Sequence, residues 1–278
     1  METVIANVSV YYETHGEGKT LFLLPGWGGS ARGMAAWLEL GLQHRHGWKR
    51  IYIDPPGHGG TPAAPGITNQ DQIFSIVLAL IDQLTGGEQF AILGASYGGY
   101  LARGVIFQRP SLVEGVCLLV PVVIADMPRR NVPPTIILIE EPGIAGEVTP
   151  EEIDLFNMMV IRTHTALAEL RRQSDQAAAG DADFRLKIKQ DSRKYSLSWD
   201  VDALAEPFAR PALIITARQD SVVGYQDAWK IMENYPRASF LVLDRAGHLL
   251  EEKNGLIFTL IDEWLDRVET FNQPPLLP

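Results

Sequence analysis

Glycines stand two residues before and two residues after a serine in Gly94-Ala95-Ser96-Tyr97-Gly98, and this pentapeptide follows directly on the apolar run 90–93. No other feature of the chain restricts its possible folds as much. A short apolar run bounded by glycine reads as a buried strand, and residues 97–108 read as a helix that stops before Pro110. A strand that turns into a helix around one residue holds that residue in a strained backbone conformation. The two elements then approach so closely that only small flanking residues fit. Gly94 and Gly98 meet that demand and leave Ser96 at the tip of the turn. A glycine-rich turn with a spectator serine satisfies the same positions, so the choice between the two falls to the rest of the chain.

Two further strand-like stretches each end in a group able to activate a serine. Residues 212–216 run into Ala217-Arg218-Gln219-Asp220, and residues 239–243 run into Asp244-Arg245-Ala246-Gly247-His248. Serine is a poor nucleophile at neutral pH. His248 would accept its proton during attack on a carbonyl and return it to the leaving group, while Asp220 would fix the imidazole tautomer and stabilise the imidazolium. The chain order Ser96, Asp220, His248 differs from both protease arrangements of the same chemistry.

These residues, in this order and each after a strand-like stretch, make the chain resemble the α/β-hydrolase superfamily, and the likeness spans nearly its whole length. Leu21-Phe22-Leu23-Leu24-Pro25-Gly26-Trp27-Gly28-Gly29-Ser30 resembles the family's oxyanion segment, with Pro25 where the family usually carries histidine. Ile51-Tyr52-Ile53-Asp54-Pro55-Pro56-Gly57-His58-Gly59-Gly60-Thr61 resembles its Asp-x-x-Gly-x-Gly-x-Ser loop, a mainly structural element. The resemblance implies an oxyanion hole made by the backbone N–H groups of Trp27 and Tyr97, and a reaction that needs no metal and no organic cofactor. It also supplies rivals. Asp126 is the alternative acid, because some members place the acid after the strand that here spans 115–121. His58 is the alternative histidine, although a structural role in its glycine-rich loop is the simpler reading. His15, His44, His46 and His164 lie in polar, loop-like or helical stretches and read as solvated.

Strands alternate with helices over most of the chain, which implies an α/β fold: a mostly parallel central sheet with helices on both faces. Residues 4–14 read as an opening pair of strands that turns near Asn7. Thr68, with Asp71 three residues on, reads as the start of a helix that buries Ile73, Ile76, Val77, Leu80 and Ile81. The alternation breaks at residues 122–208, where no strand pair is evident and helix signals dominate. Residues 1–121 and 209–278 are therefore assigned to an α/β-hydrolase core and 122–208 to a helical cap. Within the cap, Thr149-Pro150-Glu151-Glu152 reads as a capped helix start, 166–178 as a second helix and 181–194 as a third. In this superfamily such an insertion roofs the site, so Phe156, Met158 and Met159 are candidate substrate-binding residues, with plain packing as the competing role.

The reaction expected is hydrolysis of a carboxylic ester of a small to medium molecule through an acyl-enzyme. Haloalkane dehalogenases and epoxide hydrolases need aspartate where Ser96 stands, and carbon–carbon bond hydrolases usually carry tryptophan where Leu249 stands. The last remain an enzymatic alternative, and a small-molecule receptor that retains the triad is the alternative outside catalysis. A formal charge of −10 argues against a nucleic-acid partner, because phosphate binding needs a concentrated basic face. No apolar run approaches the roughly 20 residues of a membrane span. With no secretory leader apparent and a single cysteine, Cys117, in an apolar stretch, the expected compartment is the cytoplasm.

Overall fold

The computed structural model describes residues 1–175 and 180–271. Its strands are β1 Glu2–Ile5, β2 Val8–His15, β3 Lys19–Leu24, β4 Trp48–Ile53, β5 Phe90–Ala95, β6 Val113–Leu119, β7 Ile139–Glu140, β8 Ile161–Arg162, β9 Ala212–Ala217 and β10 Ala238–Leu243. Its α-helices are α1 Ala31–Leu42, α2 Gln70–Thr85, α3 Tyr97–Gln108, α4 Ile153–Met158, α5 His164–Asp175, α6 Ala182–Lys189, α7 Ser192–Tyr195, α8 Gln226–Lys230 and α9 Asn254–Thr270.

Eight strands form one sheet in the order β1-β2-β4-β3-β5-β6-β9-β10. From β4 to β10 every neighbouring pair is parallel, and β1 and β2 add an antiparallel edge. Parallel strands covered on both faces have no polar side, which is why residues 21–24 and 90–93 are unbroken apolar runs with no exposed member. The turn between β1 and β2 places Ala6 and Asn7 at φ 45° and 67°, the left-handed pair that a tight hairpin requires.

Helix α2 buries the face anticipated from its spacing, but its cap lies one residue later than the sequence suggests. Asn69 accepts from the Gln72 N–H at 3.1 Å, while Thr68 donates its own N–H to Gln72 Oε1 at 2.7 Å. Asparagine satisfies a free helix N–H at least as well as threonine, so the cap forms at Asn69. Helix α9, which the sequence reading does not place, packs Ile257, Ile261, Trp264, Leu265 and Val268 inward, and Trp264 Nε1–H donates to Pro211 O at 3.1 Å.

Residues 122–208 carry α4 to α7, and here the structure departs from the expectation of helices alone. β7 and β8 form a parallel ladder of two residues each, Ile139 beside Ile161 and Glu140 beside Arg162. A strand that short has no periodicity to read. Helix α4 begins at Ile153 rather than at Pro150, because Glu152 closes a turn onto Thr149 while its carboxylate accepts the Thr149 N–H at 2.8 Å. The charged stretch 181–194 divides into α6 and α7, each with its own aspartate cap, Asp181 and Asp191. Of the helix read at 166–178, residues 176–178 lie outside the described residues, as do residues 272–278 of the assigned core. Ile144, Phe156, Met159, Ala166, Leu167 and Leu170 form a second apolar cluster, separate from the large core around the sheet.

Candidate active site

Ser96 sits between β5 and α3 at φ 51° and ψ −113°, a conformation that side chains rarely adopt. The two glycines explain how it is held there. A Cβ on Gly94 would stand 2.2 Å from the Gly98 carbonyl oxygen, so strand and helix cross with no room for a side chain. The turn is pinned from the neighbouring strand as well: Ser96 N–H donates to Leu119 O at 2.8 Å, and Val122 N–H donates to Ser96 O at 2.9 Å.

His248 lies in the loop after β10 and Asp220 in the loop after β9, at the same carboxyl-terminal end of the sheet as Ser96. His248 Nε2 is 3.0 Å from Ser96 Oγ, and His248 Nδ1 is 2.9 Å from Asp220 Oδ2. The other carboxylate oxygen, Asp220 Oδ1, accepts the Val222 and Val223 N–H groups at 2.8 and 2.9 Å. Burial works to raise the Asp220 carboxyl, but the adjacent His248 and these hydrogen bonds outweigh it and hold the group below its ordinary value. Asp220 is thus an ionised acceptor fixed on one nitrogen of the imidazole, which leaves the other nitrogen facing the serine.

The segment 25–30 passes directly beside the serine. A Cβ on Gly26 would lie 3.5 Å from Ser96 Cβ and 4.0 Å from its Oγ. Tyr97 is the first residue of α3, where backbone N–H groups have no acceptor within the helix. The rings of Trp27 and Tyr97 meet edge to face at 4.8 Å, and Tyr195 from α7 meets Trp27 in the same way at 4.9 Å. Asp54 secures the far end of the segment by accepting the Ala31 N–H at 2.5 Å and the Gly60 N–H at 2.7 Å. Burial pushes its carboxyl up to about 6 despite both donors.

His58 and Asp126 stand outside the relay from Ser96 to Asp220. His58 is fully buried, edge to face with Trp27 at 4.9 Å and stacked on Tyr97 at 5.7 Å. Its Nδ1 lies 3.1 Å from Pro56 O, and its Nε2 has no hydrogen-bond partner among the described residues. Burial lowers its pKa to about 4. Asp126 heads the short turn 127–129, while the Nδ1 position of His248 is taken by Asp220. Phe156 and Met159 are 2% and 1% exposed inside the second apolar cluster, with Leu249 packed against it, so both are engaged in packing. Met158, at the end of α4, is half-buried and lies outside that cluster. Among the described residues no group of three or more His, Cys, Asp or Glu side chains is gathered as a metal site requires.

A model of the alpha/beta hydrolase family matches residues 21–256. The chain belongs to that family. This alpha/beta hydrolase is 23% identical over 265 residues to a pimeloyl-[acyl-carrier protein] methyl ester esterase of Legionella pneumophila, covering 93% of this chain and 100% of that one. It is 25% identical over 251 residues to a 2-hydroxy-6-oxononadienedioate/2-hydroxy-6-oxononatrienedioate hydrolase of Paraburkholderia phymatum, covering 86% and 84% of the two chains. Among solved structures, an alpha/beta superfamily hydrolase from Oenococcus oeni superposes with a TM-score of 0.84 at 25% identity, over 97% of this chain and 99% of the other. Among the described residues of this hydrolase, no helix is long and apolar enough to cross a membrane.

Sequence reasoning missed several contributors to the site. Tyr195 and Gln70 support the rings of Trp27 and Tyr97, the latter through contacts of 2.9 and 3.0 Å between the Gln70 carboxamide and the Tyr97 hydroxyl. Glu251 lies three residues beyond His248 and accepts the N–H of Gly247, the residue before that histidine, at 2.9 Å. Nothing local in the sequence distinguishes it from its solvated neighbour types.

Proposed function

We propose that this hydrolase cleaves a carboxylic ester of a small to medium molecule through an acyl-enzyme, with Ser96 as nucleophile, His248 as general base and acid, and Asp220 as the orienting carboxylate. The observation that carries the reading is the unbroken run of contacts from Ser96 Oγ through both imidazole nitrogens to Asp220, at 3.0 and 2.9 Å. Serine attack on the ester carbonyl transfers the Oγ proton to Nε2 of His248. Asp220 stabilises the imidazolium without taking the proton. The imidazolium then protonates the departing alkoxide, and the same histidine activates a water molecule that releases the acid.

The negative charge of each tetrahedral intermediate falls on the former carbonyl oxygen. Backbone N–H groups of Trp27 and Tyr97 are assigned to it, supported by the approach of Gly26 to Ser96 and by the place of Tyr97 in the first turn of α3, where a helix offers no acceptor to its backbone N–H groups. One such donor is worth on the order of 100-fold to 1,000-fold in turnover. Residues 122–208 are assigned as the cap over this site. Both reactions stand among the relatives, and ester cleavage is favoured over carbon–carbon cleavage by Leu249, which follows His248 where carbon–carbon hydrolases usually carry tryptophan.

The test combines turnover with labelling. A graded series of 4-nitrophenyl esters should be consumed in many equivalents per enzyme, and a phosphonate ester should add one equivalent to Ser96, located by peptide mass spectrometry. Stoichiometric reaction that stops after one turnover would identify a receptor. A label on any other residue would remove Ser96 from its role.

A further inference from the structure

Glu251 is a carboxylate 6% exposed, and both of its oxygens accept backbone N–H groups from different parts of the chain. Oε2 accepts the N–H of Gly247, the residue before His248, at 2.9 Å. Oε1 accepts the N–H of Val160, 91 residues away and immediately before β8, at 3.0 Å. Gly247 itself is pressed onto Val160, since a Cβ at position 247 would stand 2.9 Å from Val160 Cγ1. The surrounding backbone is bent to permit this. Leu250 and Glu252, on either side of Glu251, adopt φ 54° and 59°, a left-handed conformation that is strained for non-glycine residues. The neighbouring side chains follow the same direction: Thr163 Oγ1–H donates to Glu252 Oε1 at 2.6 Å, and Leu249 packs against the second apolar cluster.

A buried carboxylate held by backbone N–H groups is an expensive way to fill space, because desolvating the charge costs more than packing an apolar side chain of the same volume. What it provides is direction. Two hydrogen bonds, at 2.9 and 3.0 Å, define the position of the Gly247 peptide relative to Val160. That peptide leads into His248, whose imidazole must lie within hydrogen-bond reach of both Ser96 and Asp220.

We infer that Glu251 is a positioning residue for His248, and that it makes the placement of the base depend on the segment around Val160 being docked. The inference rests on the proposed role of His248 as general base. It assigns to residues 159–163 a part in catalysis beyond covering the site: this segment completes the support of the histidine loop. A misplacement of about 1 Å in such a group can cost about 100-fold in rate, even when the altered residue never meets substrate.

The experiment compares Glu251→Ala and Glu251→Gln with the parent enzyme. Steady-state kinetics on a 4-nitrophenyl ester are combined with the downfield proton resonance of the His248 Nδ1–H in its hydrogen bond to Asp220, followed in protein shown to be folded by circular dichroism. Glu251→Ala should lower kcat about 100-fold with KM within about threefold, and should shift or broaden the resonance. Glu251→Gln keeps one acceptor oxygen and should fall between Ala and the parent. A folded Ala variant with kcat within about twofold of the parent and an unchanged resonance overturns the inference. If neither variant folds, Glu251 is a stability residue and the inference also fails. The resonance reports the His248–Asp220 contact directly, and a parallel Ser96→Ala control tests the nucleophile. Failure of the positioning role is thereby separated from failure of the proposed reaction.

Discussion

Gly98 lies against the backbone of Leu24, so closely that a Cβ on Gly98 would stand 2.0 Å from the Leu24 carbonyl oxygen. Through this contact the second residue of the elbow helix α3 sets the end of β3, from which the segment 25–30 departs toward Ser96. The obstacle is backbone and cannot rotate aside. Gly98→Ala is therefore expected to destabilise the fold by about 3 kcal/mol, at the upper end of ordinary overpacking. Urea unfolding of the variant and the parent checks this. An unfolding free energy within about 0.5 kcal/mol of the parent would mean that α3 and β3 can separate without loss.

The assignment of Ser96 as nucleophile has the largest expected effect. Ser96→Ala removes the attacking oxygen but leaves the fold and the assigned oxyanion donors in place. Loss of a triad serine can cost on the order of a million-fold in turnover, with residual catalysis from binding and the oxyanion site. Ester hydrolysis by the purified variant within about tenfold of the parent would reassign the nucleophile.

The residues brought together at the site were legible because each announces itself locally. Ser96 stands between two glycines that the crossing of β5 and α3 requires, Asp220 follows the fully buried strand β9, and His248 follows β10, a half-buried strand that is still mostly apolar. The fully buried runs of the sheet are legible for the same reason. The contact between Glu251 and Val160 spans 91 residues, and no local pattern marks it. β7 and β8 are set by pairing with each other, at two residues apiece, rather than by propensity. Phe156 and Met159 carry the composition of a pocket wall, and the structure places both in the second apolar cluster, a packing that their sequence positions do not announce. Helix α9 had a readable signal in the spacing of Ile257, Ile261, Trp264, Leu265 and Val268, each buried.

Asp220 and Asp126 make opposite forecasts. Asp220→Asn would present an amide to His248 Nδ1 and favour the wrong tautomer, and the corresponding loss in a serine protease is about 10,000-fold in kcat. Circular dichroism should show the fold retained. Asp126→Asn should leave kcat within about threefold of the parent, since Asp220 occupies the imidazole's second nitrogen. Kinetics on the two variants side by side provide the check, and a reversed ranking would move the acid to position 126.

His58 should leave its signature in stability against pH. Burial among Trp27 and Tyr97 lowers its pKa from 6.5 to about 4, so between those values the unfolded chain binds a proton that the folded chain refuses. The sign follows directly. Stability contributed by the neutral ring is complete above pH 6.5, declines as the pH falls through the window, and is gone below about 4. Asp54 acts in the opposite sense. Its carboxyl is raised from 3.8 to about 6, so its contribution is present below 3.8 and lost as the pH rises through about 6. Comparing His58→Gln with the parent cancels the Asp54 effect and isolates the histidine. The stability advantage of the parent over His58→Gln should shrink by about 3 kcal/mol between pH 7 and pH 4, measured by urea unfolding at each pH. A difference that stays constant across that range would mean that His58 titrates alike in the folded and unfolded chain, and its burial beneath the two rings would then not suppress its charge.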